Sequence, residues 1–255
     1  MKRLRRLLAW SAMLLCAGTL AAPAGAQQLG WNGQADGGAS LFFGNTRQWV
    51  VTAHTKLAHL DSTLEMRAEG RVGYAQAKTD SGVTVLSSRS WLASFGLDYH
   101  PLDRWSPFMS GSVESSFEQR IARRYSAGLG AKYTVAHGDT TSLDISLAVL
   151  GERTEASDPS IELGVPASRV RWSWRVRAEH RMGERVKLSH TTLYQPSAQD
   201  LSHFTLNTST VLSIDLTKVL ALTFTAEDIY DSEARSRGAR TNNDGHLLFG
   251  ARVRY

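Results

Sequence analysis

The sequence has a single cysteine and few prolines, and beyond its N-terminal segment it has no uninterrupted apolar run of about 20 residues. Cys16 lies inside an N-terminal segment that we expect to be removed. The remaining chain therefore offers no disulfide framework, thiolate metal ligand or thiol nucleophile. The missing apolar run excludes helical membrane spans, so any membrane crossing must use strands.

The N-terminus has the pattern of a secretory signal. Four basic residues precede the apolar residues 7–20, and the small residues 24–26 form a cleavage site. We expect cleavage after Ala26, which leaves residues 27–255 as one domain. Leu15 is too large for a lipoprotein signal at Cys16. Removing four basic and no acidic residues lowers the formal charge from +5 to +1, so the high pI is no evidence for a nucleic-acid partner.

Twelve segments of the remaining chain alternate apolar and polar residues, the signature of β-strands. The clearest is the eighth, in which Val170, Trp172 and Trp174 alternate with arginines. No long segment repeats its apolar residues every 3.6 positions. The sequence therefore predicts an all-β fold, with strands at about 31–43, 47–59, 63–77, 85–99, 105–117, 123–136, 140–152, 168–181, 185–195, 201–216, 219–231 and 245–255.

Alternation alone allows a soluble sandwich, which buries its apolar face, or a membrane barrel, which turns that face to lipid. Short connections alternate with longer ones, such as 153–167 and 232–244. Tryptophan and tyrosine cluster near both ends of the segments, on the apolar side, where headgroups would lie. Both observations favour the barrel. We predict a twelve-stranded antiparallel transmembrane β-barrel of outer-membrane type, located in the bacterial outer membrane with lipid as its partner.

The last segment resembles the assembly signal of such barrels. Gly250, Val253 and Tyr255 match its pattern of a glycine, an apolar residue and a terminal aromatic. Leu248 departs from it, because a polar residue is usual there. The pattern predicts recognition by the barrel-assembly machinery.

Three short motifs resemble the family catalogued as domain of unknown function 481. They are Gly44-Asn45-Thr46 after the first strand, residues 124–130 (RYSAGLG) in the sixth, and the aromatic-ended last strand. The resemblance spans about residues 35–255. It implies an outer-membrane barrel without an established activity, and members are often labelled salt-induced, which suggests a link with envelope or osmotic stress. It implies no catalytic residues.

Charged residues on the polar sides of four strands are the main candidates for function. They would line the lumen, and we list them as Glu65, Arg67, Glu69, Arg71, Arg169, Arg171, Arg175, Arg177, Lys187, Arg252 and Arg254. Charged rings can select solutes of opposite charge, which predicts a narrow porin-like passage with a positively lined lumen for small anionic solutes. Alternatively, the charges pair across strands, with Asp144 and Glu152 as partners, and the barrel is a non-conducting structural protein.

An enzyme is a distant alternative. A lipid-modifying barrel would need a serine beside a lipid-facing histidine, and the expected neighbours of His190 include none. The histidines show no metal-ligand spacing, and the carboxylates form no acid–base pair. We therefore expect no catalytic residues, no metal and no cofactor. The loop 232–244 holds three arginines that could contact anionic lipopolysaccharide, although a simple solvated loop explains them equally well.

Overall fold

The alternating segments form twelve strands in the computed structural model, which describes residues 29–42, 47–78, 83–158 and 167–255. The predicted signal peptide and the Gly44-Asn45-Thr46 motif lie outside the described residues. The strands are β1 Gly30–Phe42, β2 Arg47–Leu60, β3 Leu64–Lys78, β4 Thr84–Tyr99, β5 Trp105–Ser116, β6 Ile121–His137, β7 Thr141–Ala156, β8 Ser168–Met182, β9 Val186–Pro196, β10 Phe204–Asp215, β11 Leu220–Asp231 and β12 Asn243–Arg254.

Each strand pairs antiparallel with its neighbours in sequence, and β12 returns to pair with β1, which closes the barrel. The closing register runs from Gln34 opposite Arg254 to Gly37 opposite Ala251. Gly33 and Tyr255 extend it with two backbone hydrogen bonds of 2.8 and 3.0 Å. Closure leaves no exposed sheet edge. A sheet inside a membrane requires this, because its backbone polar groups have no water to bond with. The prediction of a twelve-stranded antiparallel barrel of outer-membrane type is confirmed.

The two ends of the barrel differ in the length of their connections. At one end, the turn end, short turns join the strands at residues 61–63, 100–104, 138–140, 183–185 and 216–219. At Asp61 the amides of Leu64 and Thr63 donate to the carboxylate at 2.7 Å each, which lowers the pKa of Asp61. At the other end, the loop end, the connections include the longer segments 157–167, 197–203 and 232–242. The predicted alternation of connection lengths is found for these three connections, whereas the connections after β1, β3 and β5 span only four or five residues.

The outer surface of the barrel is apolar and the inner surface polar. On β8, Trp174 is 49% exposed, whereas its inward neighbours Arg171 and Ser173 are buried. Aromatic rings contact each other on the outside near both ends, as in Trp105 with Tyr133. A soluble sandwich would bury these side chains, so the soluble sandwich is excluded. In the part of the chain that the structure describes, no helix is long and apolar enough to cross a membrane.

Two strand boundaries differ from the predicted ones by three or more residues, for local reasons. Strand β7 extends to Ala156 instead of residue 152, because Arg153 and Glu155 continue the ladder with β6. Strand β10 begins at Phe204 instead of residue 201. The preceding residues form a turn in which the Asp200 carboxylate accepts hydrogen bonds from the amide and hydroxyl of Ser202, at 2.9 and 2.8 Å. Such local side-chain bonds compete with strand pairing.

The barrel interior is tightly filled where β5, β6 and β7 meet. A Cβ added at Gly130 would overlap the carbonyl oxygen of Leu147 and lie 2.7 Å from the Phe108 ring. Only glycine fits this position without a shift of the neighbouring backbone. Gly130 of the RYSAGLG motif is therefore required by packing.

Candidate functional site

The candidate site is the charged interior of the barrel, where side chains from distant strands meet. Arg71 on β3 contacts Glu227 on β11 at 2.9 Å, although three strands separate the two along the wall. Arg124 on β6 contacts Asp231 on β11 at 2.6 Å. The predicted charged residues of β3, β8, β9 and β12 lie on this inward side. Contacts across the interior mean that the lumen is narrow at these levels.

Four arginines and four carboxylates form a compact cluster at the loop end. We call it the loop-end cluster; its members are Arg124, Arg169, Arg171, Arg237, Glu114, Glu152, Asp231 and Glu233. Glu152 lies at its centre, 2.9 Å from Arg169 and 2.8 Å from Arg171. Arg169 also contacts Glu233 with a second nitrogen, at 2.6 Å. The formal charges of the cluster balance.

The segment 232–242 completes this cluster because it folds into the barrel mouth. The Arg237 guanidinium donates to Asp231 at 2.6 Å and to the backbone carbonyl of Gln119 at 3.2 Å. The amide of Glu233 donates to Asp231 at 2.9 Å. Gly238 ends the short helix Arg235–Arg237 with a positive φ of 86°, a conformation that favours glycine. The segment is therefore a cap that folds into the barrel mouth. It is not the simple solvated loop that the sequence analysis considered as one explanation.

The cap changes the expectation for lipopolysaccharide contact. Of the three arginines in 232–244, Arg237 is buried and paired with Asp231 and Glu233, whereas Arg235 and Arg240 are exposed. Arg237 is thus unavailable to an external anion. Contact through Arg235 and Arg240 stays a prediction.

The predicted residues nearer the turn end form smaller and wetter ion pairs. Arg177 and Lys187 share Glu179 at 2.8 and 2.6 Å, and the Arg177 side chain is 40% exposed. Arg252 pairs with Asp36 at 2.6 Å and Arg254 with Asp215 at 2.7 Å. This half of the interior is accessible to water.

The mixed-sign ladder predicted on β3 is also paired. Arg67 lies 3.1 Å from Glu65 and 2.6 Å from Asp98 of β4. Glu69 lies 3.1 Å from His54 and 3.7 Å from Arg71. The charges of this strand therefore connect it to both neighbours and, through Glu227, to the far wall.

The expected partners of the β8 arginines are found in one case and not in the other. Glu152 pairs with Arg169 and Arg171, as the sequence suggests. Asp144 instead accepts a hydrogen bond from the Thr134 hydroxyl at 2.9 Å. Arg177 lies opposite Asp144 in the register but bends to Glu179 on its own strand. Whether the eleven predicted residues line a passage for solutes stays a prediction.

Several charged residues of the interior were not among those predicted from the sequence. Lys56 and Arg124 lie on the inward side of β2 and β6, and strict alternation from their neighbours could have placed them. Asp231 ends β11 on the inward side and could have been placed in the same way, whereas Glu233 had no such signal, because its burial depends on the fold of segment 232–242. Among the described residues, no carboxylate lies within 4.0 Å of Lys56 or of the predicted Arg175, and the same holds for Arg181 on the inward face of β8 at the turn end.

No catalytic arrangement is found around the outward-facing His190. Its ring nitrogens contact the hydroxyls of Thr210 and Thr192 at 2.8 and 2.9 Å. Its neighbours in the register are Ala178 on β8 and Thr210 on β10, neither of them a serine. Within the described residues, no group of three or more histidines and carboxylates could hold a metal ion.

The residues of the predicted assembly signal lie at the closing seam. Val253 and Tyr255 face outward among exposed apolar side chains. A Cβ at Gly250 would lie 2.6 Å from the carbonyl oxygen of Gly37 on β1. Glycine therefore lets β12 approach β1 closely, a structural role that holds whether or not the motif is read by the assembly machinery.

Solved structures that match the barrel include outer-membrane proteins of low sequence identity. A NanC porin structure matches with a TM-score of 0.50 and 8% identity, covering 87% of this chain and 98% of that one. An outer-membrane channel from Pseudomonas putida F1 matches with a TM-score of 0.49 and 11% identity, covering 93% and 99%. The translocator domain of autotransporter NalP from Neisseria meningitidis matches with 0.46 and 13%, covering 100% and 95%.

Sequence comparison with curated proteins gives no match. A family model does match, over residues 35–253, which is nearly the range predicted from the three short motifs. The match covers well over half of the chain and includes every strand of the barrel. The chain therefore belongs to the family described as protein of unknown function, DUF481.

Proposed function

We propose that the chain is a bacterial outer-membrane barrel, exported by a cleaved signal peptide, that passes small and preferentially anionic solutes through a narrow lumen. The observation that carries this proposal is the charge of the water-accessible half of the interior. There, the cations Lys56 and Arg175 have no described carboxylate within 4.0 Å and the carboxylate Asp144 has no described cation within that distance, whereas the loop-end cluster is balanced. Uncompensated positive charge on a pore wall favours anions.

In this proposal the segment 232–242 controls entry from the loop end, which faces outward. The resting barrel is closed there, because Arg237 and Glu233 are buried in the loop-end cluster. Opening requires the segment to leave the barrel mouth, which separates Arg237 from Asp231 and Gln119. Movement of a capping segment is a common way to gate access to a site.

The second candidate is a non-conducting structural barrel of the envelope. The dry, balanced loop-end cluster favours it, since such a network cross-links β6, β7, β8 and β11 as well as closing the mouth. Catalysis is not part of either proposal, because no serine accompanies His190 among its hydrogen-bond partners.

Single-channel recording in planar bilayers separates the two candidates. The refolded chain 27–255 is compared with Arg237→Gln, which weakens the cap, and with Arg235→Gln, which removes an exposed arginine two residues away. We expect rare anion-preferring steps in the unmodified chain, frequent steps in Arg237→Gln and no change in Arg235→Gln. Silence in all three, with folding verified by heat-modifiable gel migration, would establish the structural role.

The remaining partners and the stress link belong to the same proposal. The apolar outer surface would contact membrane lipid, Arg235 and Arg240 would contact lipopolysaccharide, and the last strand would be read by the barrel-assembly machinery. A link with envelope or osmotic stress predicts that the protein becomes more abundant after a shift to high salt. Quantitative immunoblotting of outer membranes before and after the shift tests this link.

A further inference from the structure

A groove of about 700 Å³ crosses the outer wall of the barrel over β5 to β8, close to the loop end. Its floor is the backbone of one lateral row of register partners, Ser112, Ser126, Glu152 and Arg169. The side chains of this row point into the barrel, where they bond to each other in pairs. The residues before and after the row point outward and form the two walls of the groove. The groove therefore opens toward lipid and is separate from the lumen.

The groove exists because small residues interrupt the apolar outer surface. In the wall nearer the turn end, Ala127 lies opposite Gly151, and Gly151 lies opposite Val170. A Cβ added at Gly151 would meet no atom closer than the backbone oxygen of Ala127, at 3.9 Å. Packing within the wall therefore does not require glycine here, in contrast to Gly130. The space over Gly151 is open to a molecule on the lipid side.

The groove lies at the level of the aromatic side chains near the loop end. Tyr125 belongs to its other wall and is 41% exposed. Trp172, two residues from Val170 on the same outward face, is also 41% exposed. Aromatic rings of this kind lie at the headgroup level of a membrane. A molecule in the groove can therefore place one end among headgroups and the other among acyl chains.

Basic side chains lie on the headgroup side of the groove. Arg153 belongs to the same wall as Tyr125 and is 65% exposed, and Arg123 is exposed two residues beyond Tyr125 on the same face. Glu155, the register partner of Arg123, lies 3.6 Å from Arg153. Two positive charges and one negative charge leave this end positive. Guanidinium groups donate paired hydrogen bonds that match the oxygens of a phosphate.

We propose that this groove binds a phosphorylated lipid of the outer leaflet, with an acyl chain over Gly151 and a phosphate beside Arg123 and Arg153. The acylated, phosphorylated glycolipid part of lipopolysaccharide, lipid A, has this chemistry. The site rests on the proposed placement of the barrel in the outer membrane with its loop end outward. It is separate from the proposed passage and from the proposed contact of Arg235 and Arg240.

Native mass spectrometry of the refolded chain 27–255 in detergent micelles tests the site. The barrel is titrated with bisphosphorylated lipid A, and the fraction of one-to-one complex gives the Kd. The variants are Arg123→Gln, Arg153→Gln and Gly151→Leu, which fills the groove. The matched controls are Arg185→Gln, an exposed arginine at the turn end, and Gly245→Leu, an exposed outward glycine of β12 where a Cβ meets only ordinary contacts.

We expect Arg123→Gln and Arg153→Gln each to weaken binding about fivefold, because each removes one basic group from the phosphate. Gly151→Leu should weaken it by a similar factor, about fivefold, since its side chain occupies the place of acyl methylene groups. Glu155→Gln should tighten binding, because it removes a negative charge beside the phosphate. The two controls should bind lipid A as the unmodified chain does.

Absence of saturable lipid A binding overturns the site, as does an equal weakening in the two controls. Displacement of lipid A by excess inorganic phosphate would indicate a phosphate site without a lipid component and would also overturn the proposal. Weakening by Arg235→Gln and Arg240→Gln alone would assign the contact to the cap and not to the groove. A barrel that binds lipid A through the groove but stays silent in bilayers keeps the site and loses the passage. A barrel that conducts without binding lipid A keeps the passage and loses the site.

Discussion

The two halves of the barrel interior use the same residue types in different surroundings. At the loop end, Arg171 is completely buried and lies 2.8 Å from Glu152, a carboxylate that it shares with Arg169 and Arg124. Nearer the turn end, Arg177 remains 40% exposed and has one carboxylate partner, Glu179. Both arginines lie on the inward face of the same strand, six residues apart. Their energetic roles must therefore come from their surroundings.

The difference indicates that the contribution of an interior ion pair to the free energy of unfolding depends on its burial and on how many arginines share one carboxylate. The number of charges alone does not determine it. Removing one partner of a dry pair leaves an uncompensated charge, whereas water and salt replace the lost partner of a wet pair. The loop-end cluster is thus expected to stabilise the fold and hold the cap. The wet half is expected to tolerate cations without a carboxylate partner, because water solvates them.

The largest effect is expected from Glu152→Gln. The substitution leaves Arg169 and Arg171 without their shared carboxylate in a dry site, and we expect the free energy of unfolding to fall by about 3–5 kcal/mol. Urea unfolding followed by tryptophan fluorescence measures this loss. The matched change in the wet half is Glu179→Gln, which removes the partner shared by Arg177 and Lys187. It should cost less than about 1 kcal/mol, and equal losses would contradict the comparison.

Asp98 is an exception to the division into a dry and a wet half, because it is a fully buried carboxylate in the wet half. Arg67 and Lys132 contact it at 2.6 and 3.3 Å. We expect Asp98→Asn to lower the free energy of unfolding by about 1–3 kcal/mol, since buried hydrogen bonds to charged groups are lost. Asp103→Asn, in an exposed turn, is the control and should leave the free energy of unfolding unchanged.

The hold of the loop-end cluster on the cap can be measured by cysteine labelling. Residues 27–255 contain no cysteine, so Ala234→Cys in that refolded segment introduces a single thiol at a position that is 1% exposed. We expect a membrane-impermeant maleimide to react at least about tenfold faster when Arg237→Gln is added, because the segment then opens more often. Arg235→Gln on the same short helix should leave the rate unchanged. Fast labelling without Arg237→Gln would show that the cap is open at rest.

The fold was predictable because the alternation of apolar and polar residues directly reflects the two faces of each strand. Trp172 and Trp174 against Arg171 and Arg175 give the frame of β8 without any knowledge of its neighbours. The short turns and the terminal strand supply the rest of the architecture. Strand ends were less predictable, since side-chain bonds such as Asp200 with Ser202 decide them locally.

The interior charges were predictable only where they lie on strands, whose alternation shows which side chains face inward. Arg169 and Arg171 could be assigned to the inward face, and Glu152 as their partner, from alternation on adjacent strands. The contribution of Glu233 and Arg237 could not, because it depends on segment 232–242 folding back into the mouth. Alternation assigns Lys56 to the inward face of β2. It cannot show which side chains of β8 lie across the lumen from Lys56, because a single sequence carries no signal for that distance.

The smallest effect is expected at Arg153, which makes the sharpest test of burial because it adjoins Glu152 in sequence. Its side chain points outward, is 65% exposed and lies 3.6 Å from Glu155 on the same face. Exposed pairs gain little, because water screens them and two flexible side chains must be held in place. Arg153→Gln should therefore change the free energy of unfolding by less than about 0.5 kcal/mol in the same urea experiment. A loss approaching that of Glu152→Gln would mean that position at the barrel mouth, and not burial inside it, determines what these charges contribute.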